Sequence, residues 1–153
     1  GQNNGAGNLN RCKDVLKVAL IEDAIITVVM IVLVVWQGRT ILTLFSSDAE
    51  VLDIAYVRVC TLFPAYVFSM VYENMSGYLR GFGISALPSA LTAIGVCGTR
   101  FFWALVVFPA HPTFATVMLA YPVSFSTTAL LMAGALAYCR PAQHAMHLST
   151  ATS

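Results

Sequence analysis

Four long apolar stretches separated by short polar breaks dominate the chain, over residues 18–36, 51–79, 86–108 and 114–138. A bilayer core about 30 Å thick takes about 20 mostly apolar residues in a helix, and each stretch meets that need. The first becomes an unbroken apolar run at Ala24, after Glu22 and Asp23. The second is interrupted by Arg58, Pro64 and Glu73; the third carries a single charge, Arg100; the fourth carries none. Trp36, Trp103, Phe108 and Tyr138 lie near segment ends, where aromatic rings anchor a helix at the membrane interface. The pattern predicts an all-α polytopic membrane protein. Its order is a cytoplasmic loop and helix start over residues 1–17, four transmembrane helices within 18–140, and a polar cytoplasmic tail over 141–153.

Composition supports this and narrows the function. Hydrophobic residues make up 58% of the 153 and charged residues 10%, against about 25% charged in a soluble domain. That excludes intrinsic disorder, and a net charge of +1 excludes nucleic-acid binding driven by charge. The chain opens on Gly1 without a basic-then-apolar leader, so it reads as a piece of a longer protein. Cys12, Cys60, Cys97 and Cys139 stand singly, which signals neither a zinc site nor a disulfide framework. His144 and His147, three apart in the tail, have no neighbouring carboxylate or thiol, and no metal site is expected. No phosphate loop or nucleophile motif is present, so no enzyme is expected.

The few charges are distributed unevenly. Arg11, Lys13 and Lys17 precede the first helix, Arg80 follows the second and Arg140 the fourth. The opposite side holds Arg39, beside Asp48 and Glu50. Positive charge collects on the cytoplasmic side of membrane proteins, which places both ends of this chain there. Helix ends are marked by Ser46, Ser47 or Asp48 before the second helix, by Gly81, Gly83 and Pro88 after it, and by Pro109 and Pro112 around His111. Pro64 and Pro122 fall inside helices, where each frees a backbone carbonyl and kinks the helix.

The second helix departs from simple apolarity. At about 100° per residue, Arg58, Tyr66, Ser69, Glu73, Ser76 and Arg80 share one sector of roughly 80°. A lengthwise polar face cannot meet lipid, so it faces other helices or a watery cavity. Glu73 lies about 10 Å from the cytoplasmic end at 1.5 Å per residue, and Arg58 is about 22 Å away along the same helix. With no basic partner expected within reach, Glu73 either takes up a proton, binds a cation or pairs with a residue on another helix. Tyr66, Ser69 and Ser76 are the accompanying cavity-lining candidates. Glu22 and Asp23 are read as headgroup-level charges beside Lys17. Ala86, Ala90, Ala93 and Cys97 form a small-residue stripe suited to close helix packing, and Gly77 with Gly81 suits the same use. Ser124, Ser126, Thr127 and Thr128 are expected to bond carbonyls of their own helix near Pro122, with a cavity lining as the alternative.

Several motifs carry a family likeness. The opening Gly1-Gln2-Asn3-Asn4-Gly5-Ala6-Gly7 resembles a loop of the multidrug and toxic-compound extrusion (MATE) transporters. Leu44-Phe45-Ser46-Ser47-Asp48-Ala49-Glu50-Val51 is similar to one of that family's connections. Asn74-Met75-Ser76-Gly77-Tyr78-Leu79-Arg80-Gly81-Phe82-Gly83, followed by Pro88, resembles its S-G-x-L-R-G-x-G turn. Arg100 to Pro109 and Tyr121-Pro122 continue the likeness. The resemblance implies a two-lobe transporter of about twelve helices, this chain supplying the last four as part of the C-terminal lobe. It implies export of amphipathic or cationic drug-like compounds across the cell membrane in exchange for sodium ions or protons, with no other cofactor. Its partners would be the bilayer and the upstream helices. The acidic residue of some sodium-coupled members aligns with Ser69, one turn before Glu73, so the coupling ligand does not carry over directly. A lipid-linked oligosaccharide flippase of the same superfamily and a non-transporting helical assembly module are the competing readings.

Overall fold

The computed structural model describes residues 1–141; the remaining tail, with His144 and His147, lies outside the described residues. Among the described residues all regular structure is helical. Four long helices, Leu9–Leu42, Ala49–Gly81, Ala86–Ala110 and Phe114–Cys139, are each long and apolar enough to cross a membrane. A four-residue helix, Gln2–Gly5, precedes them.

The first helix starts at Leu9, well before its apolar stretch, because hydropathy marks where a helix enters lipid and not where the backbone becomes helical. The second starts at an Asp48 cap, whose side chain accepts from the Glu50 and Val51 amides, with Glu50 in the first turn against the positive end of the dipole. It ends in a Schellman turn: Gly83 N–H donates to Arg80 C=O (2.9 Å) and Ile84 N–H to Leu79 C=O (3.1 Å). Gly83 takes φ +82° there, a conformation that costs glycine little. Thr113 caps the fourth helix by accepting from Thr116 N–H. Pro64 and Pro122 sit inside continuous helices.

The second helix is central, packing on the fourth along one side and on the first along another. The core consists of Ala65, Tyr72 and Leu79 from the second helix and Phe125, Ala129 and Met132 from the fourth. Polar residues share that core: Ser124 and Thr128 are fully buried, yet each hydroxyl donates to a carbonyl of its own helix, at Tyr121 (2.9 Å) and Ser124 (2.7 Å). Ser126 does the same to Val123 (3.0 Å). Internal satisfaction of this kind removes the cost of placing hydroxyls in a dry interface.

The third helix is irregular. Two wide π-helical segments, Ala93–Gly98 and Trp103–Val107, flank an α-helical turn at Thr99–Phe102. The first segment contains Gly95, where an added Cβ would stand 2.4 Å from Thr128 Oγ1 and 3.0 Å from Thr128 Cα. Gly95 therefore lets the third and fourth helices approach closely at Thr128. The small-residue stripe does not serve this purpose: Ala86, Ala90, Ala93 and Cys97 are all exposed. In a regular helix of 3.6 residues per turn, Gly95 and Arg100 would point about 140° apart. The i→i+5 ladder of the π segment winds less per residue and closes that gap, so both meet the fourth helix.

Candidate functional site

The helix ends sort by charge. At one end, Lys13, Lys17, Tyr78, Arg140 and Pro141 surround a common recess. Gly1 lies against Gly81 there, and Asn4 Nδ2 donates to Gly81 C=O (3.4 Å). At the other end Arg39 pairs with Asp53 across the connection between the first two helices, and its guanidinium stands 6.0 Å from the Tyr56 ring centroid. The Tyr56 hydroxyl donates to Val35 C=O (3.2 Å), fixing the two helices where Gly38 touches the Tyr56 ring.

Next to the basic end, a cavity of about 410 Å³ opens between the first and second helices, with Asp23, Glu73, Asn74 and Asn4 among its walls. Asp23 is more than a surface charge beside Lys17. It turns inward and its Oδ2 accepts from Asn74 Nδ2 at 2.6 Å, while the same amide nitrogen reaches Met70 C=O at 3.1 Å. Glu22, the adjacent residue, is exposed. A one-residue step along a helix turns the side chain by about 100°, which is enough to separate a partly buried carboxylate from a free one.

Glu73 is not without a basic neighbour, as the sequence led us to expect. Arg80 Nη2 lies 3.6 Å from Glu73 Oε2. Two turns separate the residues, but the long arginine side chain folds back along its helix and is held there by Ser76. Its Nη2 donates to Ser76 Oγ at 2.8 Å and its Nε to Ser76 C=O at 3.4 Å. Both charged side chains remain at least half exposed, so the pair contributes at most about 1 kcal/mol. Glu73 thus keeps most of its access to the cavity.

The other candidates divide. Ser76 is buried and serves Arg80. Ser69 donates to the Tyr72 hydroxyl at 3.3 Å. Tyr66 is 42% exposed and its ring meets Phe63 edge-on and Phe125 at a tilt, both at 5.7 Å between centroids. Of the four, only Glu73 lines the cavity; Tyr66 meets Phe125 of the fourth helix, and Ser69 bonds Tyr72 within its own helix. Asp23 and Asn74 are the cavity residues that sequence reasoning missed. The signal available was their polarity inside apolar surroundings; the pairing across helices was not readable. Among the described residues no cluster of three or more His, Cys, Asp or Glu is placed to hold a metal, and the four cysteines are free.

Four helices long and apolar enough to span a membrane, with acidic and amide groups gathered in a cleft between two of them, define a multi-pass membrane protein. The MatE family profile matches residues 1–106, two thirds of the chain. The chain belongs to that family. It is also similar to the probable multidrug resistance protein YoeA of Bacillus subtilis (strain 168), at 26% identity over 136 residues. That match covers 87% of this chain and 29% of the relative, so the chain spans under a third of the relative's length. No solved structure matches the chain.

Proposed function

We propose that this chain forms part of the C-terminal lobe of a secondary-active multidrug exporter, moving amphipathic or cationic compounds out of the cell. Membership of the MatE family over residues 1–106 carries the reading, and the multidrug-resistance name of the relative accords with it. Sodium ions or protons drive the export, and Glu73 is the residue that takes up the coupling ion. Supporting that role are its place on the cavity wall beside Asp23 and Asn74 and the weak hold of Arg80 upon it.

Glu73→Gln in the full-length protein tests the assignment, since it keeps the shape and removes the charge. Membrane expression should stay normal, because the lost pair is worth little, while ion-driven ethidium export falls at least about tenfold, the scale of one lost charge-assisted contact. Normal expression with normal ion-coupled export would remove Glu73 from the mechanism.

The basic helix ends face the cytoplasm and the Arg39 end faces outward, in the cell membrane. A cysteine placed at His111 should react with an impermeant label added outside intact cells, and one placed at Gly83 should not. The opposite labelling pattern inverts the topology.

A further inference from the structure

The geometry points to an aromatic-walled carboxylate site at Arg100, which would hold the acid group of amphipathic cargo that carries one; this rests on the export reading above. Arg100 lies about 21 Å along its helix from Ala86 and about 15 Å from Ala110, hence well inside the hydrocarbon region. A charge at that depth is costly and calls for a partner. None of the seven acidic residues of the chain lies in the third or fourth helix. Among the described residues no carboxylate comes within ion-pair distance of Arg100.

The guanidinium is held in place without being neutralised. Its carbon stands 4.5 Å from the Tyr121 ring centroid and 5.3 Å from that of Phe125. Its Nε donates to Ser124 Oγ at 3.2 Å. Two cation–π contacts and one neutral hydrogen bond orient the plane. They use one of five N–H donors and leave the terminal fork, the edge that binds a carboxylate through two parallel bonds, unengaged by the described residues. Arg100 is only partly buried, so its side chain is not sealed off from a ligand. A lipid phosphate is excluded by depth, because headgroups lie outside the hydrocarbon core. The nearby rings favour a flat ligand: Phe125 is itself buried beneath the guanidinium, and the Tyr66 ring, 5.7 Å from it and 42% exposed, offers the accessible aromatic surface. A planar aromatic acid would bond the fork with its carboxylate and lay its ring along that surface.

The test measures binding, which does not require transport. Purified full-length protein in detergent is equilibrated by dialysis with 2-naphthoate and, separately, with methyl 2-naphthoate, which keeps the ring and lacks the charge. The wild-type protein should prefer the acid, and R100Q should weaken acid binding about tenfold or more while shifting ester binding little. R100K, which keeps the charge but not the planar fork, should fall between. Equal affinity of the wild type for acid and ester overturns the site. So does an R100Q protein that elutes as a single folded species and binds the acid as before, or one that loses both ligands equally, as expected if Arg100 only pairs with another helix. Should R100Q not fold, the wild-type preference and the R100K series decide alone. Ethidium export by the same wild-type protein is measured beside these, so failure of the export reading is seen separately from failure of the carboxylate site.

Discussion

The first helix contains the most apolar window of the chain, and none of that window is buried; the fourth helix has the least apolar window, and 28% of it is buried. In water the order would be reversed. Val18, Ile21 and Ile25 of the first helix are each 61% exposed, whereas Ser124 and Thr128 of the fourth are fully enclosed. The difference follows from the solvent. Lipid tails are as apolar as a leucine side chain, so an isoleucine gains little by leaving them, and association is decided by close packing and by hydrogen bonds. The fourth helix offers hydroxyls already satisfied within their own helix and a surface that a glycine of the third can approach. The first offers branched side chains suited to lipid.

If this account is right, the two helices should respond to substitution in opposite ways. The largest effect belongs to Gly95→Leu. A side chain there meets the Thr128 backbone, which cannot swing aside. Overpacking costs typically about 1–3 kcal/mol and more where backbone is struck, so folded, monodisperse full-length protein should be largely lost. Met132→Ala follows. Met132 is fully buried between the second and fourth helices, and the cavity should lower stability by about 2 kcal/mol, the low end of the soluble-core range because the lipid reference removes most of the transfer gain. Thermal melting of the purified protein measures it. The smallest effect is expected from Ile25→Ala on the first helix, within about 0.5 kcal/mol. A cost there matching that of Met132→Ala would show that Ile25 is buried against another helix in the full-length protein and would break the comparison.

Much of the fold was legible in one dimension, since helix number, approximate span and the polar breaks all follow from hydropathy. The caps were nearly so: Asp48 is one of three residues named for that role, and Gly83 stands where the Schellman turn needs a positive φ. The hydroxyls of the fourth helix bond their own carbonyls, as their chemistry suggested. The candidate site was less readable. A helical wheel put Tyr66, Ser69, Glu73 and Ser76 on one face, and they do share a helix sector. Which neighbour each meets depends on the tilt and crossing of the helices, and these send Tyr66 toward Phe125 and Glu73 toward the cleft. The reach of Arg80 was missed because counting rise along an axis treats side chains as points, and an arginine and a glutamate that lean toward each other bridge two turns.

By itself, then, the sequence determined that this chain forms four helices long and apolar enough to cross a membrane and which residues could cap the second, because hydropathy and capping are local properties read residue by residue. The tertiary structure decided which faces meet. It set Gly95 against Thr128, brought Asp23 to Asn74, and unwound the third helix into π turns so that Arg100 reaches Tyr121 and Phe125. The physical reason is that helices in lipid are selected by mutual fit and paired polar groups. Fit is a property of two surfaces together, and no periodicity within one strand of sequence encodes it.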